Sequence, residues 1–233
     1  MNKYLIQAGG IMQKERRCLL NAELINSSFE SLPDNKGMFI PIGSVEFVNE
    51  YSRLNDILIP QNISYPVSLL PFLKRKIWKD EYKNVDDDLF VKPVNTKIFT
   101  GAIKRNLPEH VKDNEQVWVS DPIEFTAEFR FYILKEKILG YSRYDDGEDE
   151  ITPSHNIVEL MIKAYKTQPI GYAIDVVVVN GETILIEVND GWSLGYYPWG
   201  NCSQSDYVEL ITERWKEIVK KSDELKELHL SCA

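Results

Sequence analysis

The sequence predicts an α+β protein with two lobes, and three observations support this fold class. The first part of the chain alternates short apolar runs with helical patterns, whereas the part after residue 86 is dominated by strand patterns. Prolines punctuate the stretch before the boundary, at Pro60, Pro66 and Pro71. The acidic turn Asp86–Asp88 then marks a change in composition. We therefore expect a small N-terminal α/β lobe over residues 1–86 and a strand-rich part with a mixed sheet over residues 87–233.

The overall composition excludes several classes of protein. Of the 233 residues, 43% are hydrophobic, and no apolar run approaches the roughly 18 residues of a membrane span. The net charge of −9 argues against general nucleic-acid binding, which needs a basic surface. Cys18, Cys202 and Cys232 lie far apart and form no CxxC motif, which argues against a zinc site or a disulfide framework. We expect a cytoplasmic protein without a membrane partner.

Apolar spacing predicts the elements of the first lobe. Two short strands, Tyr4–Gln7 and Gly37–Pro41, flank an amphipathic helix over Lys14–Ile25. A second helix over Ser44–Tyr51 begins at an N-cap serine. The basic run Lys74–Lys76 follows this part, and it either forms a solvated face, which we expect, or enters a cleft between the lobes.

The second part of the chain predicts two hairpins and two helices. The predicted elements are strands Leu89–Pro93 and Gln116–Ser120, a hairpin of Phe129–Leu134 and Ile138–Tyr144, a helix over Ile157–Lys166, a hairpin of Ala173–Val179 and Thr183–Asn189, and a helix over Asp206–Leu228. Clefts between lobes of this kind are common ligand sites.

The second of these hairpins carries polar side chains inside very apolar strands. Burying an ionised carboxylate in such a run is costly unless a partner compensates the charge. Side chains alternate along a strand, so Asp175, Glu187 and Asn189 share the odd-numbered face with apolar residues such as Leu185. The even-numbered face, which includes Ile184, is entirely apolar. One face is therefore predicted to be core and the other to be a site.

The turn of this hairpin decides whether the polar residues meet. A strictly two-residue Asn180-Gly181 turn would place Asp175 opposite Ile186, on the face away from Glu187. A three-residue loop with the glycine in a left-handed bulge would bring Asp175 and Glu187 onto the same face. We therefore predict an odd-numbered loop, because that loop gathers the polar groups on one face.

The polar residues of this hairpin suit a divalent cation. Two carboxylates about 4–6 Å apart repel by about 1–4 kcal/mol, and a divalent cation reverses that repulsion. Carboxylate and amide oxygens are the hard ligands of a Mg²⁺ ion that bridges phosphates. The pattern thus favours Asp175, Glu187 and Asn189 as Mg²⁺ ligands. The alternative is that Asp175 and Glu187 are exposed residues of a one-sided sheet and pair with nearby lysines.

A site for Mg²⁺ and phosphate also needs cations, and the chain offers several before the acidic hairpin. Lys92 lies inside an apolar strand, and Lys97 follows beside a Thr/Gly loop. Arg130 shares a strand face with Glu128 and can bind phosphate or carboxylate through two parallel hydrogen bonds. Each residue also has a simpler interpretation, either as a snorkelling lysine or as an ion pair of Arg130 with Glu128 or Glu136.

Taken together, these residues resemble an ATP-grasp protein. The resemblance rests on three stretches: Phe90–Pro93 with Lys97–Gly101, Val117–Ser120 followed by Glu128–Arg130, and Asp175 followed by Glu187–Asn189. They are similar to the small clade of that superfamily that is defined by one arginine and two lysines and is known from bacteria and phages. The match spans residues 89–197 and extends loosely upstream through Phe39–Phe47.

The resemblance implies a fold, two cofactors and a set of residue roles. Residues 1–86 would form a pre-ATP-grasp lobe and residues 87–233 the ATP-grasp domain, with ATP and Mg²⁺ as cofactors. Arg130 and Lys97 would be the catalytic residues. The implied binding roles are Lys92 and Lys97 on the ATP phosphates, the hinge Val117, Trp118, Val119, Ser120 and Asp121 on adenine through its backbone, Glu128 near the ribose, Arg130 near the phosphates or the acyl-phosphate, and Asp175, Glu187 and Asn189 on one or two Mg²⁺ ions.

The implied activity is ATP-dependent ligation of a carboxylate to an amine or a thiol through an acyl-phosphate. The substrate partners would be a small-molecule or peptide carboxylate and an amine acceptor. A kinase-like phosphotransferase and a non-catalytic nucleotide-binding or interaction module are the alternatives. The chain is short for this superfamily, and only Asn95–Gly101 stands where a long Gly/Ser-rich loop would cover the phosphates.

Overall fold

The computed structural model describes residues 2–10, 12–20, 22–35, 37–94, 98–108, 110–125, 127–145, 147 and 150–231, and the side chains of 229–231 are left aside. Within these residues the strands form three sheets, which are called first, second and third in chain order. Among the described helices, none combines the length and the apolar character that crossing a membrane requires.

The N-terminal residues form the first sheet, which is parallel. Its elements are β1 (Lys3–Gln7), α1 (Gln13–Cys18), β2 (Glu23–Ser27), β3 (Phe39–Ile42) and α2 (Val45–Leu54), and the strand order is β2-β1-β3. Both predicted strands and the second helix are confirmed, and the Ser44 hydroxyl accepts the Phe47 backbone N–H as an N-cap. The predicted helix over 14–25 is wrong in length. It ends at Cys18, because residues 23–27 pair with β1 and this tertiary pairing outweighs local helical spacing.

The middle of the chain forms the second sheet, which is antiparallel and which the sequence predicts only in part. Its strands are β4 (Ile77–Glu81), β5 (Phe90–Pro93), β6 (Ala102–Ile103) and β7 (Gln116–Ser120), in the order β4-β7-β5-β6. The two central strands, β5 and β7, were predictable from their apolar residues. The edge strands were not, because β4 is partly exposed along its length and β6 has two residues. Since β4 pairs with β7, it belongs to this sheet although it precedes residue 86, and the domain division at 86/87 stays a prediction.

The third sheet holds the two predicted hairpins and has a helix on each face. Its strands are β8 (Ala127–Leu134), β9 (Lys137–Arg143), β10 (Gly171–Val179) and β11 (Glu182–Asp190), in the order β11-β10-β8-β9, and its helices are α3 (His155–Ala164) and α4 (Gln204–Ser231). Apolar residues such as Phe131 and Ile174 form one core with α3. Tyr132 and Ala173, on the other face, form a second core with α4 and the first sheet. The α+β fold class is thus confirmed.

The predicted odd-numbered loop in the last hairpin is wrong. Val179 pairs with Glu182, so the turn contains two residues. Both of them, Asn180 at φ 49° and Gly181 at φ 81°, take the left-handed conformation that a tight hairpin turn of this type requires. The tight turn is favoured because its twist matches that of the flanking strands.

A β-bulge within β11, and not the turn, brings the two carboxylates onto one face of the hairpin. The register passes from Asp175–Glu187 to Val176–Leu185, so Ile186 is an extra residue. Beyond the bulge the two faces of β11 are exchanged relative to the prediction, and Leu185 packs in the core with Val176. The carboxylates meet across the strands as predicted, but the device that aligns them lies in the strand and not in the loop.

Candidate active site

The polar face of the third sheet contains a buried ion pair between neighbouring strands. Arg130 on β8 lies opposite Asp175 on β10, and its Nε and Nη2 atoms donate to the two carboxylate oxygens at 2.8 and 2.7 Å. Asp175 is fully buried and Arg130 is 8% exposed. This two-pronged geometry is that of a strong charge-assisted pair. The alternative pairing of Arg130 with Glu128 or Glu136 is therefore wrong.

A second ion pair joins the third sheet to the second. Lys92 on β5 donates to Glu187 on β11, and each of these side chains is 21% exposed. Asn189, two residues further along β11, donates its Nδ2 to Asp175 at 2.8 Å and to Glu187 at 3.1 Å. The alternative of exposed carboxylates is wrong, although Glu187 does pair with a lysine. We call Arg130, Asp175, Asn189, Glu187 and Lys92 the charged cluster.

Burial and pairing act against each other in the charged cluster. Burial raises the pKa of the Asp175 carboxyl above its ordinary value, and the Arg130 guanidinium opposes that rise. Burial would also raise the pKa of Glu187, but the Lys92 ammonium, the Asn189 amide and the Arg130 guanidinium together lower that pKa. Both carboxylates therefore depend on adjacent cations to stay ionised.

The charged cluster adjoins a cavity of about 830 Å³ where the three sheets meet. Lys92, Glu187 and Asn189 line the cavity, whereas Arg130 and Asp175 are buried and connect to it through Asn189. The wall also includes the start of α2 and the loops after β7 and β11, with Gly43, Ser44, Val45, Glu46, Ser120, Asp121, Ile123, Trp192, Leu194 and Gly195. This volume lies within the range of about 300–1,000 Å³ that is typical of small-molecule sites.

The oxygen donors of the charged cluster fit Mg²⁺. Asp175 and Glu187 lie within hydrogen-bonding distance of one amide, that of Asn189, so all three side chains are within reach of a shared ion. A half-turn of that amide would present its oxygen in place of its nitrogen. Two carboxylates and an amide oxygen form the hard donor set that Mg²⁺ prefers.

Comparison with known protein families identifies the family of this chain. Residues 72–210 match the model of an ATP-grasp domain, family 2 of the clade named for its one arginine and two lysines. The chain belongs to this family. No curated protein matches the sequence. The predicted membership of the ATP-grasp superfamily, and of this clade, is thus confirmed.

Solved structures of other ATP-grasp proteins share the fold of this ATP-grasp chain. D-alanine–D-alanine ligase from Bacillus anthracis is 14% identical, with 95% of this chain and 99% of that chain covered and a TM-score of 0.51. D-Cycloserine synthetase DcsG is 9% identical, with coverage of 95% and 100% and a TM-score of 0.51. The ATP-grasp ligase PsnB complexed with minimal precursor is 11% identical, with coverage of 91% and 100% and a TM-score of 0.50. At these identities the structural similarity shows a common fold alone, and it confirms the predicted ATP-grasp fold.

The predicted phosphate-binding loop of this ATP-grasp domain is described only on its two sides. Lys97 lies outside the described residues together with Asn95 and Thr96. On one side β5 carries Lys92, and on the other side residues 99–101 line the cavity. The role of Lys97 therefore stays a prediction.

The predicted adenine hinge meets the cavity only at its end. The backbone of Val117–Ser120 pairs with β4 on one side and with β5 on the other. Val117 and Val119 are buried in the core of the second sheet, whereas Ser120 and Asp121 line the cavity. Because a central strand has its backbone groups paired on both sides, the first groups available to a ligand lie after Ser120. Contact of Trp118 and its neighbours with adenine stays a prediction.

Glu128, which was predicted to lie near the ribose, lines the cavity two residues before Arg130. The Tyr144 hydroxyl donates a hydrogen bond to its carboxylate, and the Tyr144 ring stacks on Tyr197 with centroids 4.7 Å apart. Burial raises the pKa of Glu128 to about 7. This carboxyl group therefore changes charge near neutral pH, and its contact with a ribose stays a prediction.

Arg75 was predicted to enter the cleft only as the less favoured alternative for the basic run 74–76. Its guanidinium lines the cavity and donates to the backbone carbonyls of Leu185 at 2.9 Å and Ile186 at 3.1 Å. These carbonyls belong to the bulge in β11, so Arg75 holds the bulge that aligns the carboxylates. The available signal was its place in this basic run. We expected the run to form a solvated face, and that expectation is wrong for Arg75.

Asp190, which directly follows Asn189, is also near the site but is already fully paired. Arg214 of α4 donates to both of its carboxylate oxygens, each at 2.7 Å. Both side chains are 5% exposed, so this pair anchors the end of β11 to α4. The oxygen donors proposed for Mg²⁺ therefore do not include this neighbouring carboxylate.

Proposed function

We propose that this ATP-grasp domain is an ATP-dependent ligase that joins a carboxylate to an amine or a thiol through an acyl-phosphate. The observation that carries the proposal is the charged cluster at the cavity wall. It holds two carboxylates and two cationic side chains in contact, so its net charge is zero. Two Mg²⁺ ions and one ATP⁴⁻ also sum to zero, so the ligands can enter without leaving a buried charge uncompensated.

In this proposal the two ion pairs exchange partners when the nucleotide binds. Lys92, together with Lys97, turns to the ATP phosphates, and Arg130 neutralises charge on the transferred phosphoryl group. The carboxylates so released, with Asn189, hold Mg²⁺, whose charge when bound offsets that of the phosphates. The close contacts of the paired side chains support this exchange, because both cations and both carboxylates already lie together beside the cavity.

The adenosine half of the nucleotide takes the part of the cavity beside Glu128 and the end of β7 in this proposal. Adenine contacts the backbone at the end of Val117–Asp121, where Ser120 and Asp121 line the wall. Glu128 accepts hydrogen bonds from the ribose hydroxyls in its ionised form. Phe90 and Phe99, which also line the cavity, supply apolar surface for the base.

The proposed reaction consists of two displacements. A substrate carboxylate oxygen takes the γ-phosphoryl group, and ADP leaves. An amine or thiol then attacks the acyl carbon, the bond from that carbon to the phosphate oxygen breaks, and phosphate leaves. Both steps require positioning and charge neutralisation and need no protein nucleophile.

The proposal is tested by identifying the products by mass after incubation with Mg²⁺-ATP and pools of carboxylates and amines. ADP and phosphate that form only when both pools are present support the ligase. A stable phosphorylated product would identify a phosphotransferase instead, and intact bound ATP would identify a binding module.

Variants of the charged cluster test the site itself. Lys92→Ala and Glu187→Gln should each weaken Mg²⁺-dependent ATP binding at least tenfold in calorimetric titrations, because each removes a charge that meets the nucleotide. Glu182→Gln on the same strand and Lys137→Ala on β9 are matched controls, since both side chains are exposed. Unchanged binding in both cluster variants would exclude this site.

A further inference from the structure

One buried acid at the cavity has no function in the reaction proposed above. Glu15 on α1 is 6% exposed and lines the cavity. One of its carboxylate oxygens accepts the Tyr196 backbone N–H at 2.9 Å. In the described part of the chain it forms no ion pair. A buried carboxylate without an ion-pair partner is costly, and the neighbouring Arg130 is already bound to Asp175, so a cation that enters the cavity would complete the pairing of Glu15.

Glu15 also lies next to the arginine of the charged cluster. A Cβ atom placed on Gly195 would lie 3.8 Å from a Glu15 carboxylate oxygen and 3.9 Å from Arg130 Nη1. The two side chains therefore flank the same glycine. If Arg130 neutralises the acyl-phosphate, Glu15 stands beside the position from which a nucleophile must approach it.

The distribution of charge along the cavity wall agrees with a cationic ligand near Glu15. Among the described lining residues only Arg75 and Lys92 are cationic, and both are already engaged, with the bulge carbonyls and with Glu187. Glu46, at the start of α2, adds a second carboxylate to the wall. Met12, one turn before Glu15, supplies apolar surface beside it.

We propose that Glu15 binds the ammonium group of the acceptor substrate, so that the nucleophile is a primary amine and not a thiol. This inference rests on the ligase function proposed above. The carboxylate first pairs with the ammonium and then accepts one of its protons. The amine lone pair forms the C–N bond at the acyl carbon while the C–O bond to phosphate breaks. Phosphate leaves with that electron pair, and the second amine proton passes to it from the adduct.

The test compares the wild type with Glu15→Gln, using n-butylammonium as the probe and 1-butanol as its neutral counterpart. Glutamine keeps an oxygen for the Tyr196 N–H, so α1 stays attached to the loop. Saturation-transfer NMR titrations in the presence of Mg²⁺-ADP should show n-butylammonium binding at least tenfold more weakly to Glu15→Gln. Binding of 1-butanol should not change, and Glu46→Gln, an exposed residue of the same wall, should weaken n-butylammonium binding less than about threefold.

Two further measurements separate a failure of the Glu15 assignment from a failure of the proposed ligase function. The thermal midpoint of Glu15→Gln should equal or exceed that of the wild type, because the substitution removes an unpaired buried charge. Equal n-butylammonium binding by both proteins, or none by the wild type, overturns the assignment of Glu15. Mg²⁺-ATP titrations of the same samples test the ligase site separately: if the wild type binds Mg²⁺-ATP but not n-butylammonium, only the acceptor assignment fails. If it binds n-butylammonium but not Mg²⁺-ATP, the ligase function fails.

Discussion

The two faces of the third sheet are built from the same strands but differ in chemistry. On the face towards α3, Phe131 and Ile174 pack with Met161 in an apolar core. On the opposite face, the adjacent residues Arg130 and Asp175 form a buried ion pair. The apolar face gains stability from any well-packed hydrophobic side chains, whereas the charged face is stable only while each charge keeps its partner.

This difference indicates which face has been shaped by function. A buried ion pair is on average no more stabilising than hydrophobic residues of similar volume, because desolvation offsets the attraction. Stability alone therefore does not explain a pair that lies behind a cavity wall. The proposed binding of a multiply charged ligand would explain it, since both members of the pair could turn to that ligand.

The largest expected effect comes from dividing the Arg130–Asp175 pair. Asp175→Leu alone leaves the guanidinium buried without a partner and should lower the free energy of unfolding by about 3–5 kcal/mol. Arg130→Met combined with Asp175→Leu should return stability to within about 1 kcal/mol of the wild type. Both variants should lose Mg²⁺-dependent ATP binding. Urea unfolding and calorimetric titration measure the two quantities.

Phe131→Ala is the matched control on the apolar face, because this residue follows Arg130 on β8. It is fully buried and stacks on Tyr141 with ring centroids 5.0 Å apart. Its removal should cost about 3–5 kcal/mol, similar to the loss in Asp175→Leu. The molecules that remain folded should bind Mg²⁺-ATP as the wild type does. If the double variant kept full ATP affinity, the functional contrast between the faces would not hold.

The members of the charged cluster were predictable, but their contacts were not. Asp175, Glu187 and Asn189 stand out because polar residues are rare within such apolar strands. Strand periodicity puts Glu187 and Asn189 on one face, and the bulge at Ile186 adds Asp175 to it. The partner of Lys92 depends on how closely β5 of the second sheet approaches β11 of the third. No local pattern encodes that distance, so a lysine partner for Glu187 was predicted only in the alternative with exposed carboxylates.

The bulge in β11 shows the same limit at the level of the backbone. One extra residue between Asp175 and Glu187 is needed to bring both carboxylates onto one face. Local turn rules would place that residue in a longer loop. The chain uses a bulge at Ile186 instead, and Arg75 donates to the carbonyls of this bulge from 110 and 111 positions earlier in the sequence. Similarly, residues 23–27 become β2 and not helix because β1 presents an edge to pair with.

A smaller effect is expected from weakening the support of the bulge. Arg75→Lys cannot reach both carbonyls in a fork, so it should lower the free energy of unfolding by about 1–3 kcal/mol. Mg²⁺-dependent ATP affinity should fall several-fold, because Glu187 loses its alignment with Asp175. Apolar-face variants such as Phe131→Ala should show the first change without the second. Urea unfolding and calorimetric titration with Mg²⁺-ATP, both at the same pH, measure the stability and the affinity.

The neighbouring Lys76 gives the control for Arg75. Lys76→Ala removes an exposed cation over the Trp78 ring, where the ammonium lies 4.9 Å from the centroid. Loss of this contact should cost no more than about 1 kcal/mol and leave ATP affinity unchanged. Equal behaviour of the two variants would mean that the bulge does not depend on Arg75.

The smallest expected effect is a pH dependence confined to the charged face. Burial raises the pKa of Glu128 to about 7 from 4.5, so the folded state holds this proton more tightly than the unfolded state. Stability should therefore fall as pH rises between these two values and level off above them.

The comparison with Glu128→Gln isolates this contribution. Urea unfolding from about pH 5 to 8 gives the free energy of unfolding of both proteins. As pH rises, the wild type should lose stability relative to Glu128→Gln, and the difference should then become constant. ATP affinity should change in the other direction, because only the ionised Glu128 accepts hydrogen bonds from the ribose hydroxyls at both oxygens. Phe131→Ala should keep the wild-type pH profile, since it alters only the apolar face. A Glu128→Gln profile that parallels the wild type in both measurements would show that this carboxyl group neither titrates near neutrality nor meets the nucleotide.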